Sequence, residues 1–135
     1  MKLIVTIISL LALLCLGVNA TEAVIGTWVS KSLYKEKIEI ERVVALFPDN
    51  TWQNVSIIHL KEKKCILESG TWEIQDSELT FTTLRSNLDF NPKEKKAYAF
   101  ALLGSERMIL GDETYLLVDP KPQDILKPKG AIQSE

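Results

Sequence analysis

His59 and Cys65 are the only imidazole and thiol between residues 21 and 135. Serine-based hydrolysis would have to use His59, yet the chain contains no Gly-x-Ser-x-Gly turn to expose a nucleophile. Metal sites combine several His, Cys or carboxylate ligands at set spacings, and His59 with Cys65 alone is not such a set. No metal and no cofactor are therefore predicted. The two residues flank a charged hairpin tip, Lys61-Glu62-Lys63-Lys64. If Glu62 centres that turn, their Cβ atoms lie opposite each other about 5 Å apart. If the turn is Glu62-Lys63, the register shifts by one and they point to opposite faces. Glu39 and Glu41 share a strand face, and Asp112-Glu113 falls in a turn. Glycosidase chemistry needs opposed carboxylates in a cleft, so these read as solvated charge. Lys93–Lys96 is a second basic tip, and Asn54-Val55-Ser56 matches a glycosylation acceptor. The expectation is a protein that is not an enzyme.

The elements that position these residues are short strands and tight turns. Val24–Ser30 is β-branched and aromatic, and Ser32–Glu36 reads as a polar connection. Ile38 and Ile40, then Val43, Ala45 and Phe47, alternate with a parity slip near Glu41-Arg42 that predicts a bulge. Pro48-Asp49-Asn50 is a turn, because Pro presets φ and Asn tolerates the left-handed region. Thr51–Leu60 returns as a strand, and Cys65–Gln75 follows with Gly70 as a bulge or bend. After Asp76-Ser77, Glu78–Leu84 is a strand. Met108–Leu110, Gly111-Asp112 and Tyr115–Val118 form the last hairpin. Asn91-Pro92-Lys93-Glu94 resembles a helix cap, which would make Lys95–Leu103 a helix ended by Gly104. The alternation of Tyr98, Phe100 and Leu102 with alanines favours a strand there. Lys35–Phe47 is likewise read as strand rather than helix. The sum is an all-β, eight-stranded antiparallel up-and-down barrel, whose closure leaves no exposed edge.

The 135-residue length suits one domain. Met1-Lys2, the apolar run Leu3–Leu16 and the small residues of Val18-Asn19-Ala20 form a secretory signal pattern over 1–20, with cleavage after Ala20. Leu14 before Cys15 favours plain secretion over lipidation, since bacterial lipoprotein signals place a small residue there. The uninterrupted run is shorter than the roughly 20 apolar residues of a membrane span. A secreted or periplasmic protein without stable membrane insertion after cleavage is expected. Once 1–20 is removed, Cys65 stands alone and no intramolecular disulfide can form. The domain spans 21–120, and 121–135 is a Pro-punctuated, partly flexible tail. Sixteen basic against 18 acidic residues, a net charge of -2, excludes the basic footprint of a nucleic-acid binder.

All three tryptophans follow a threonine, in Thr27-Trp28, Thr51-Trp52 and Thr71-Trp72. Gly26-Thr27-Trp28, at the start of the first strand, resembles the Gly-x-Trp signature of lipocalins. Phe47-Pro48-Asp49-Asn50-Thr51-Trp52 and the stretch from Gly70-Thr71-Trp72 to Phe81 look like the repeated hairpins of small secreted bacterial lipocalin-like domains. The resemblance covers about residues 24–118. It implies a calycin-type barrel in which Gly26 and Trp28 close one end, with Arg107 packed over the indole. From the alternation of large residues, Ile40, Trp52, Phe81, Tyr98, Phe100 and Tyr115 are candidates to line an interior pocket. The expected function is non-enzymatic binding of a small apolar or amphipathic molecule. The alternative is a protein-binding module with a filled core, such as a hydrolase inhibitor, using its loops or tail.

Overall fold

The computed structural model describes residues 21–88 and 93–126. The leader with its cleavage point, the Asn91-Pro92 cap and the tail from 127 onward lie outside the described residues. Eight strands run in chain order: β1 (Gly26–Tyr34), β2 (Ile38–Leu46), β3 (Thr51–Ile58), β4 (Lys64–Gln75), β5 (Glu78–Ser86), β6 (Glu94–Leu103), β7 (Arg107–Leu110) and β8 (Glu113–Asp119). Each pairs antiparallel with the next, and β8 returns to β1 to close the barrel. The up-and-down barrel expected from the alternation is the observed architecture, and both segments with helical alternatives are strands, β2 and β6.

The turns follow local chemistry. Asn50 and Asp76 both adopt positive φ, which short polar side chains tolerate. Lys35 and Glu36 also have positive φ, and the Lys37 amide donates to the Tyr34 carbonyl at 3.1 Å. Two consecutive positive φ values mark a type I′ turn, whose twist matches the flanking strands. The predicted connection at Ser32–Glu36 is therefore too long: Ser32, Leu33 and Tyr34 stay on the ladder opposite Ile40, Glu39 and Ile38.

The bulge expected near Glu41-Arg42 is also corrected. The β1–β2 and β2–β3 ladders run through that point without a register shift. The parity slip has two other causes. Arg42 faces inward because the interior holds polar partners for it. Ala45 faces outward yet is fully buried, because the chain after β8 crosses over it. That crossing is fixed where Thr27 Oγ1 donates to the Lys121 carbonyl and accepts from the Gln123 amide, and where the Ile125 amide donates to Gln53 Oε1. Thr27, Ala45 and Gln53 are cross-strand neighbours, so residues 121–126 strap three strands.

Gly70 does mark a bulge: the β4–β5 register shifts between Ser69 and Gly70. A Cβ there would stand 1.8 Å from the Thr82 carbonyl oxygen. The missing side chain lets that carbonyl approach, and the Trp52 indole donates to it at 3.2 Å. Trp28 and Trp72 donate to the carbonyls of Val24 and Phe47. With its N–H satisfied, each buried indole contributes roughly 4–6 kcal/mol of transfer free energy.

The barrel has two unlike ends. The turns at 47–50, 76–77 and 104–106 surround one of them, where Val24, Trp28, Leu46, Leu79 and Met108 are fully buried. The turns at 35–37, 59–63 and 111–112 surround the other, where polar residues take several of the inward positions. Ser30, Asn54, Ser56 and Thr83 are all buried there.

Candidate functional site

Inward-facing positions near the polar end enclose a cavity of about 300 Å³. Its aromatic wall is a run of edge-to-face rings. Trp52 and Phe81 have centroids 5.1 Å apart, and Phe81 and Tyr98 are 6.1 Å apart. Such pairs hold their geometry by quadrupole attraction as well as by burial. Tyr115 completes the wall from β8.

The polar wall is a hydrogen-bonded network rather than a scatter of charges. Arg42 Nη1 lies 2.6 Å from Glu113 Oε1 and 3.3 Å from Ser32 Oγ, to which it donates. Ser30 Oγ donates to Glu113 Oε2 at 3.2 Å. The Arg42 and Glu113 side chains are 29% and 24% exposed, so the pair is shielded without being fully desolvated. Across the mouth, Asn54 Nδ2 donates to Ser56 Oγ at 3.1 Å and to Glu68 Oε1 at 3.2 Å. Lys96 enters from β6 opposite Phe81, and Asp112 lines the rim. Burial pushes the Tyr115 phenol well above its ordinary range, and the neighbouring Glu113 carboxylate adds to the rise. Tyr115 is thus a neutral O–H at any physiological pH.

Four of the six pocket candidates, Trp52, Phe81, Tyr98 and Tyr115, stand on this wall. Phe100 has the same parity but packs against the core below. Ile40 lies on the inward parity of β2, beyond Arg42 toward the hairpin, and does not line the cavity. Gly26 and Trp28 sit at the sealed end, with Trp28 fully buried. Arg107 is exposed and alternates with inward-facing Met108, so it projects from the outer wall and cannot lie over the Trp28 indole.

Two further readings change. Asn54-Val55-Ser56, the glycosylation match, turns its asparagine into the barrel, where both Asn54 and Ser56 are buried. Glu113, read as solvated turn charge, anchors Arg42 instead. The polar wall escapes a sequence reading in which inward positions are apolar. Its signal was present: Asn54 and Ser56 share the parity of Trp52, and Glu113 that of Tyr115. His59 and Cys65 do not face each other, since Cys65 pairs with Ile57 and the turn centres on Lys61.

Fold and site together define a class: a closed antiparallel barrel sealed with tryptophan at one end and open to a polar–aromatic cavity at the other. The chain matches no family model and no curated protein.

Proposed function

We propose that this chain is a secreted or periplasmic, lipocalin-like binding protein that holds a small amphipathic molecule in the barrel mouth without transforming it. The observation that carries this reading is the pairing of an aromatic wall with a satisfied polar wall around one cavity. A ligand's apolar part would lie against Trp52, Phe81 and Tyr98, and its polar part would meet Arg42, Asn54 or the Tyr115 hydroxyl. The volume of about 300 Å³ sits at the lower limit for ligand pockets, roughly 300–1,000 Å³, so the ligand is small. A non-enzymatic role is supported by the placement of the single histidine, which does not line the cavity.

Titration with a fluorescent apolar probe tests the reading. Saturable one-to-one uptake is expected, and Thr83→Trp, which fills the cavity from β5, weakens it at least ~10-fold while circular dichroism stays that of a barrel. Absence of saturable uptake by the folded wild type overturns the proposal. Export is tested separately: protein recovered from a bacterial periplasm is expected to begin at Thr21.

One observation favours a second reading, a protein-binding module such as a hydrolase inhibitor. Leu116, Val29, Val43, Val55 and Leu67 are successive cross-strand neighbours on the outer wall, and Leu67 and Leu116 are exposed. If this row meets a partner, Leu116→Glu abolishes capture of that partner and leaves probe uptake unchanged.

A further inference from the structure

Outside the barrel, on the face opposite the cavity lining, the β2–β3 ladder gathers the chain's only histidine with two carboxylates. Glu39 and Glu41 project from one face of β2 by the two-residue period of a strand. The His59 amide donates to the Glu39 carbonyl at 3.0 Å, which pins His59 directly across from Glu39 just beyond the end of β3. One donor atom from each of Glu39, Glu41 and His59 lies within 4.8 Å of the other two. His59 Nε2 stands 3.6 Å from Glu41 Oε1, outside hydrogen-bonding distance.

A second observation comes from the imidazole itself. The His59 side chain is 28% exposed, yet its Nε2 atom is shielded from solvent and has no hydrogen-bond partner among the described residues. A shielded polar atom without a partner is costly, and this one is turned toward the carboxylates.

We propose that Glu39, Glu41 and His59 form a site for a divalent transition ion of the zinc class. The ion would be held by His59 Nε2 and one oxygen from each carboxylate, with water completing its shell. One nitrogen and two oxygens suit borderline ions better than calcium or magnesium, which take all-oxygen sets. Zinc lies about 2.0–2.2 Å from nitrogen and carboxylate oxygen, so adjacent donors of one ion stand somewhat over 3 Å apart. The His59–Glu41 separation is already close to that value, and rotation of the flexible Glu39 stem brings in the third donor. Lys31 Nζ, 3.7 Å from the same Glu41 oxygen, is the competing cation. Its side chain is 66% exposed and free to swing into water. Bound there, the ion ties β2 to β3 beside the open end of the barrel.

Zinc titration by calorimetry, followed by nitrogen-15 spectra of the imidazole, tests the site. Because the chain has one histidine, the ring signals report on His59 alone. The expected result is saturable one-to-one binding with the large shift on Nε2 rather than Nδ1. Glu41→Gln weakens binding at least ~10-fold, the effect expected for loss of a ligand or its support. His59→Ala abolishes binding, Lys31→Ala tightens it, and Cys65→Ser leaves it unchanged. If His59→Ala does not fold, the Nε2 shift and the Glu41→Gln comparison still decide. No Nε2 shift with zinc in excess, undiminished binding in the Glu39→Gln/Glu41→Gln double variant, or loss of binding in Cys65→Ser each overturns the assignment.

Discussion

Arg42 and Glu113 show how single residues set the character of the mouth. Each is an expensive group to place on the inner wall, and each is kept there by the other and by Ser30 and Ser32. Removing one partner strands the second charge in a shielded site. Glu113→Ala is therefore expected to destabilise the barrel by about 1–3 kcal/mol in urea denaturation. The double change Arg42→Met with Glu113→Leu, which removes both charges, is expected to cost less than either single change. Tyr115 makes a separate statement about pH. Its phenol is raised above the ordinary value near 10, chiefly by burial. The unfolded chain releases that proton once pH passes about 10, whereas the folded barrel retains it, so stability falls from that point upward. Tyr115→Phe is expected to flatten this alkaline loss, measured as the urea midpoint from neutral pH to above 10. At the opposite extreme of exposure, the Asp49 carboxylate accepts from the Thr51 hydroxyl and amide, which holds its pKa below the usual value.

At the scale of the element, one turn and one bulge carry opposite expectations. Lys35 and Glu36 occupy left-handed backbone that neither residue prefers. Asn-Gly in their place suits the type I′ geometry, and a gain of about 1 kcal/mol is expected from the thermal midpoint. Gly70→Ala runs the other way, because its Cβ would collide with the Thr82 backbone oxygen. A loss of more than about 3 kcal/mol, or failure to fold, is expected. The strands themselves were legible because a half-buried strand must alternate, and the turns at Asn50 and Asp76 because their residues fit positive φ. Inward direction was legible for Trp52, Phe81, Tyr98 and Tyr115, whose bulk seeks the interior. It was not legible for Arg42, whose partners lie on β1 and β8, nor for Ala45, whose cover arrives from a segment more than seventy residues later in the chain. The facing of His59 depended on where the 59–63 turn is centred, which its lysines and glutamate do not specify.

For the whole molecule, the critical feature is the β1–β8 seam that converts a meander into a barrel. Its ladder joins Thr27 to Asp119, Trp28 to Leu117 and Val29 to Leu116, with a register shift after the first pair. The strap at 121–126 lands on Thr27, at the shift itself, and reaches across to Gln53 on β3. Deleting the chain after Pro120 is therefore expected to speed amide hydrogen exchange along β1 and β8 far more than along β4 and β5. Uniform acceleration around the ring would show that the strap only adds bulk stability. The inward turn of Asn54 has a consequence of another kind. In a eukaryotic secretory pathway, oligosaccharide is transferred to nascent chains before a barrel can close. A glycan on Asn54 has no room beside Ser56 and Glu68, so sugar-bearing chains should be trapped as misfolded species while unmodified ones mature. Yeast or insect culture would then yield little native product, and Ser56→Ala, which deletes the acceptor sequence at the cost of the Asn54–Ser56 bond, should raise the harvest there while bringing no gain in bacteria.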